Sequence, residues 1–334
     1  MFKIFTSILS CIITSCLIHG CNTNSNSPNK LQLDYPVHFP EPIPSPVRNK
    51  LTKEGVALGK ELFFDTSLSA NEKISCVTCH EPQLAFSDRE KFSIGHSGLE
   101  LKRNTPALIN LAWSQSFFWD GGVKNLESLS FAALMNPDEM GVDLSSLCKK
   151  LNEHPDYLSK FKNAFNIDSI SSAYVSRALA QYLRTLISSS SKYDSVQLAL
   201  TSFSATEKKG LSVFNNNCTA CHKPPLFMDN DFHHNGLNQY FSIKDLYLST
   251  GRFRITRDSS DLGKYKTPTL RSISRTAPYM HDGRFESLEE VLNHYQNIDS
   301  LNENQDFLVR NIEFSDDEKM ALESFLRTLN DPSF

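Results

Sequence analysis

Two stretches of the chain repeat one hydrophobic pattern. Ala178-Leu179-x-x-Tyr182-Leu183-Arg184-Thr185-Leu186 matches Ala321-Leu322-x-x-Phe325-Leu326-Arg327-Thr328-Leu329. In both, apolar residues recur at i, i+3, i+4 and i+7, which is one face of a helix. Ser315-Asp316-Asp317-Glu318 supplies a capping-box start for the later one, and Ser204-Ala205-Thr206-Glu207 starts another helix the same way. Earlier in each repeat stand Gly59-x-x-Leu62-Phe63 and Gly210-x-x-Val213-Phe214. The chain therefore reads as a weak internal duplication in which a glycine-bearing helix comes first and an aromatic-bearing helix closes. No stretch sustains the period-two alternation of a strand, so a mainly α fold is expected.

The N-terminal region has a different pattern. Met1-Phe2-Lys3 precedes an apolar run of about 15 residues, Ile4 to Ile18, short for a spanning helix but suited to an export signal. Ser15-Cys16 and Gly20-Cys21 each set a small residue before a cysteine, as lipoprotein cleavage sites do. Cys16 fits better by residue type, and Cys21 by position, since it follows the whole run. Residues 1–21 are thus expected to be a lipoprotein-type signal, with Cys21 lipidated and Cys16 as the alternative. A simple secretory signal or short anchor is the competing reading. Residues 22–50 are rich in Asn, Ser and Pro, with Pro36, Pro40, Pro42, Pro44 and Pro46. Repeated proline forbids a continuous helix, which predicts a tether passing into an extended strap. The polar run Ser188–Ser191 marks a break, giving two domains, 51–195 and 196–334. The length of 334 residues suffices for both, and the net charge of −4 lacks the basic field of a nucleic-acid binder.

Of eight cysteines, Cys11, Cys16 and Cys21 belong to the export segment and Cys148 stands alone as an expected small core residue. The other four form Cys76-x-x-Cys79-His80 and Cys218-x-x-Cys221-His222. In such a motif the thiols form thioethers with haem vinyl groups and the histidine binds iron. A zinc or redox CxxC does not need a histidine next to it in both copies. Two covalent haem c groups are therefore expected, with His80 and His222 as iron ligands. The close approach of Gly59 to Tyr182 and of Gly210 to Phe325 would then be the helix crossing of two class I cytochrome c-like domains.

Between and after these motifs the chain carries Leu68-Ser69-Ala70-Asn71, Arg103-Asn104-Thr105-Pro106-Ala107-Leu108, Phe118-Trp119-Asp120-Gly121, Asn136-Pro137-x-Glu139-Met140, Thr267-Pro268-Thr269-Leu270-Arg271 and Thr276-Ala277-Pro278-Tyr279-x-His281-Asp282-Gly283. In this order they resemble the bacterial diheme cytochrome c peroxidases and their MauG-type relatives, over about residues 50 to 330. The resemblance implies a peroxidatic N-terminal haem, an electron-accepting C-terminal haem, and Trp119 between them. It makes Glu139 the acid–base group at the peroxide site. It sets His96 where conventional peroxidases carry a removable sixth ligand, and Tyr295 where MauG-type enzymes carry a tyrosine ligand to the second iron. His294 competes with Tyr295, but neighbours on a helix point about 100° apart, so only one can face the iron. A calcium ion is implied between the domains, on the Asn104 side chain and the carbonyls of Thr276 and Pro278.

Two features cut across the resemblance. Leu129 and Ala133 stand where the family carries glutamine and proline, making the pocket more apolar. His96 calls for activation by reduction of the second haem, whereas a phenolate from Tyr295 makes that reduction harder. The expected function is reduction of H2O2 with electrons from a small cytochrome c or cupredoxin, on the periplasmic side of a bacterial envelope. The alternatives are MauG-type oxidation of a partner protein and non-catalytic electron transfer. Homodimers are usual in the family.

Overall fold

The computed structural model describes residues 28–237, 249–298 and 304–334. The expected signal, its cysteines and the start of the tether lie outside these residues. The fold is mainly helical. In chain order the longer helices are α1 (Lys53–Phe64), α2 (Leu126–Met135), α3 (Leu144–Glu153), α4 (Pro155–Phe165), α5 (Ser172–Arg184), α6 (Lys192–Gln197), α7 (Ala205–Asn217), α8 (Leu288–Gln296) and α9 (Asp316–Arg327). The short strands β1 (Phe232–His233) and β2 (Tyr265–Lys266) pair antiparallel. No helix among the described residues is long and apolar enough to cross a membrane.

Both capping boxes expected from the sequence are present. Ser204 and Glu207 exchange side-chain and backbone bonds at the start of α7, and Ser315 and Glu318 do so at α9. Each satisfies backbone N–H groups that a helix start leaves without partners.

The hydrophobic core falls into two main clusters. One is built on α1 to α5, and the other on α6 to α9. In the first, α1 crosses α5; in the second, α7 crosses α9. Glycine makes both crossings possible. A Cβ on Gly59 would overlap the Ala178 carbonyl and the Tyr182 side chain, and one on Gly210 would overlap the Ala321 carbonyl and the Phe325 side chain. The two glycine–aromatic pairs read from the sequence are therefore both real contacts.

A third, smaller cluster lies between the halves. Phe39 of the strap packs with Ala112 and Trp113 of the first half and with Leu226 and Met228 of the second. Trp113 Nε1 donates to the Pro40 carbonyl at 2.8 Å. Nearby, the fully buried Arg271 guanidinium makes two bonds to Asp194, at 2.8 and 2.7 Å, and stacks 4.7 Å from the Phe39 ring. His38 meets the same carboxylate at 3.0 Å. Burial alone would raise the Asp194 pKa, but the Arg271 bonds prevail and bring it to about 2.

At the expected domain break Ser188 and Ser191 are buried, and Asp331 accepts from the Ser189 and Ser190 N–H groups at 2.6 and 2.8 Å. Cys148, expected in the core, is only partly buried on α3.

Candidate functional site

A cavity of about 640 Å³ runs between the two clusters, and both CxxCH motifs line it. The first motif forms a one-turn helix, Cys76–Cys79, capped by Ser75. The second follows directly on α7, whose C-cap is Cys218. In each, the histidine N–H closes back on the first cysteine's carbonyl, at 3.0 Å for His80 and 2.9 Å for His222.

The two imidazoles are held alike. His80 Nδ1 lies 2.7 Å from the Phe86 carbonyl, and His222 Nδ1 lies 3.2 Å from the Phe227 carbonyl. A carbonyl only accepts, so Nδ1 must donate. That leaves the Nε2 lone pair as the basic site of each ring. Burial lowers the His80 pKa to about 4 and lowers that of His222, so both rings are neutral at pH 7. A neutral histidine with Nδ1 bound to a carbonyl is what an iron ligand requires. Burial also raises Cys76 and Cys218 to about 12 and Cys79 to about 11. Reactive CxxC thiols have lowered values instead, so this environment fits thioether attachment and not redox exchange.

Glu139 lies on the same wall. Asn136 Nδ2 donates to its carboxylate at 2.8 Å, and burial raises its pKa to about 7. Its charge is felt at both Cys76 and Cys79. Leu129 and Ala133 line the cavity as well. Beside Leu129 and Ala133 the site thus presents a carboxyl poised to gain or lose a proton near neutrality.

Trp119 also faces the cavity. Its Nε1 donates to the Asn104 carbonyl at 2.8 Å, and its own carbonyl accepts from the Lys266 N–H at 2.8 Å. The next residue, Asp120, is buried and accepts from Arg254 at 2.7 and 3.0 Å and from Arg103 at 3.3 Å.

Tyr295 on α8 faces the cavity near the second motif, where burial raises its pKa to about 12 and the Cys218 and Cys221 charges add to the rise. His294 points away and engages the Asn235 carbonyl through Nε2 at 2.9 Å. Of the two candidates, it is Tyr295 that faces the cavity. Asn104 is buried and reaches the segment that carries the other two expected calcium ligands. Its N–H donates to the His281 carbonyl at 3.0 Å, and Thr276 and Pro278 line the same cavity. Its side-chain amide donates to the Glu90 and Lys91 carbonyls, both at 3.3 Å.

His96 is brought elsewhere. It sits on a tight turn in which Gly95 N–H bonds the Leu99 carbonyl at 3.0 Å. Its own N–H bonds the Glu139 carbonyl at 2.8 Å, and its Nε2 lies 3.0 Å from the Pro137 carbonyl. Its ring covers Gly141, where any Cβ would collide with it, and it is not among the cavity-lining residues. In this structure His96 braces the loop that carries Glu139 and does not face the first motif.

Sequence reading missed several buried or partly buried polar groups. His233 is clamped by Asp306 at 2.5 Å and Asp229 at 2.9 Å. The Asp229 bond is the largest of the contributions that raise its pKa to about 11. His234 is buried as well. Lys266 lines the cavity, and burial lowers its pKa to about 8. Arg254, paired with Asp120, is another such group. The doublet His233-His234 was the one available signal, and it carried no indication of its partners.

The comparisons agree with this geometry. The di-haem cytochrome c peroxidase family matches residues 53–200. The methylamine utilization protein MauG of Methylorubrum extorquens is 38% identical over 294 residues, covering 87% of this chain and 82% of that protein. Cytochrome c551 peroxidase of Nitrosomonas europaea is 31% identical over 274 residues, covering 81% of this chain and 78% of that protein. A crystal structure of a MauG-like protein associated with microbial copper homeostasis superposes with a TM-score of 0.84 at 30% identity, covering 90% of this chain and 96% of the other. The diheme peroxidase BthA of Burkholderia thailandensis shares the fold, with a TM-score of 0.71 at 20% identity and coverage of 85% and 88%. A relative this similar, matched along most of both chains, settles the assignment: this chain belongs to the di-haem cytochrome c peroxidase family.

Proposed function

We propose that the chain is a two-haem enzyme that reduces H2O2 at its first CxxCH motif with electrons entering at its second. Cys76 and Cys79 would hold one haem c with His80 on iron, and Cys218 and Cys221 the other with His222, in two cytochrome c-like domains. When bound, haem iron supplies the redox chemistry that cleaves the peroxide O–O bond. The observation that carries the reading is the Glu139 carboxyl, which shares the cavity wall with the first motif and titrates near 7. It would take a proton from the peroxide oxygen bound nearest the site and return it to the leaving oxygen, releasing water. Trp119, on the wall shared by both motifs, would carry electrons between the halves. Lys266 offers a cation to the haem carboxylates, and Asn104, Thr276 and Pro278 offer oxygens to calcium.

A second reading draws on two observations together. His96 is spent on the Pro137 carbonyl, and Tyr295 faces the second motif. Both favour a MauG-type enzyme, whose first site is open at rest and whose oxidising power is spent on a partner protein. For either reading the enzyme would work outside the cytoplasm, exported by residues 1–21 and tethered through a lipid on Cys21.

The test mixes the fully oxidised two-haem protein with H2O2, with and without a reduced small cytochrome c. We expect the oxidised protein to show a high-spin haem and to react at once. Turnover of the cytochrome then identifies a peroxidase, whereas reaction without such turnover identifies the MauG-type enzyme. Reaction only after one-electron reduction would restore His96 as a removable ligand. No reaction in any state would leave an electron carrier.

A further inference from the structure

The two histidine–carbonyl bonds look alike, but different neighbours hold the two carbonyls. Phe227 is fully buried, with its ring 4.9 Å from Tyr193, 5.6 Å from Phe214 and 6.4 Å from Phe325, all within the second hydrophobic cluster. Phe86 has one such neighbour from its own half, Phe63, at 5.8 Å. The other is Phe334, at 5.9 Å and 68°, from the segment that follows α9 in the second half.

Phe86 needs that support. It and Ala85 both have positive φ, 59° and 54°. Two successive non-glycine residues in the left-handed region are disfavoured, and such a conformation persists only where the surroundings over-determine it. The Phe86 N–H bond to the Glu81 carbonyl at 2.9 Å fixes one side of the turn. The two aromatic contacts fix the ring. Phe334 can reach because Asp331 is anchored at the junction between the halves. Besides the Ser189 and Ser190 N–H groups, it is held by its own N–H on Ser272 Oγ at 3.2 Å and by Arg275 on its carbonyl at 3.1 Å.

We infer that Phe334 is a positioning residue for His80: by clamping Phe86 it holds the carbonyl on Nδ1, and so sets how strongly Nε2 donates to the first haem. This rests on the haem reading of His80. It gives the second half a hold on the first haem from the histidine side, apart from the Trp119 route. A firm Nδ1–H···O=C bond gives the ring anionic character and stabilises ferric iron; a slack one raises the potential.

The test compares Phe334→Ala, Phe334→Leu and Phe334→Tyr in the full two-haem protein. The readouts are the midpoint potential of each haem and the ferrous iron–histidine stretch of the first. Phe334→Ala is expected to shift the first haem's potential upward and its stretch to lower frequency, leaving the second haem unmoved. Phe334→Tyr, which keeps the ring, should restore both. If Phe334→Ala does not fold, Phe334→Leu carries the test with a smaller shift in the same direction. An unmoved first haem, or both potentials shifting together, overturns the inference. A wild-type protein lacking haem at the first motif would instead overturn the haem reading itself.

Discussion

The two halves are built on one plan up to the histidine and then part company. Each has a glycine–aromatic helix crossing, a CxxCH turn, and a histidine whose Nδ1 donates to a phenylalanine carbonyl. What shares the cavity wall with each motif differs. The first half supplies Glu139 among apolar Leu129 and Ala133. The second supplies Tyr295, with Met280 and Asn235 beside it. An acid that titrates near neutrality suits proton transfer to a small molecule. A buried phenol suits permanent occupation of a metal's free side. On the proposed function, the difference teaches that one scaffold would yield a reacting centre or a relay centre by exchanging the group on the open wall, with the histidine arrangement left alone.

Four substitutions would break or sharpen that comparison. The largest effect is expected from Glu139→Gln, which should slow the stopped-flow reaction with H2O2 by about 10²–10⁴-fold. The pH dependence has a definite sign. Burial raises the Glu139 pKa to about 7, so the carboxyl is protonated below that pH and cannot accept a proton. The wild-type rate should rise as pH passes through about 7, and the variant should be flat. An unchanged rate in the variant would remove the acid from the chemistry.

Next comes Tyr295→Phe. Losing an anionic donor should raise the second haem's potential on the order of 100 mV, within the roughly 0.8 V that axial ligands command. The first haem should not follow. A silent second haem in a potentiometric titration would mean that Tyr295 is packing only.

The smallest effects are expected at the shared scaffold. Gly59→Ala and Gly210→Ala each force a Cβ into a facing carbonyl, and each should lower stability by about 1–3 kcal/mol in denaturant titration. Similar losses would support equivalent crossings. A large loss at one site alone would show that the two halves bear load differently.

What the sequence made legible was local or repeated. Both capping boxes are set within four residues, and both crossings were readable because each pattern occurs twice. The CxxCH turns and the apolar positions Leu129 and Ala133 were also visible. The polar groups of the interior were not. His233 finds Asp306 across 73 residues, and Arg254 finds Asp120 across 134. No periodicity encodes such pairings, so a histidine and an arginine in loops read as surface. His96 went the same way: its position matched a ligand site, but the Pro137 carbonyl and the surface of Gly141 decide where its ring lies.

The strap has a consequence for the order of assembly. Its residues precede both halves in the chain, yet Phe39 and Pro40 find their partners on Trp113, Leu226, Met228 and Arg271. That surface exists only when the two halves have folded and met. The strap can meet Trp113 and Ala112 once the first half has folded, but Phe39 completes its contacts only after Leu226, Met228 and Arg271, about 190 to 230 residues later in the chain, have been made and brought alongside. Its docking is a record that the two halves have come together.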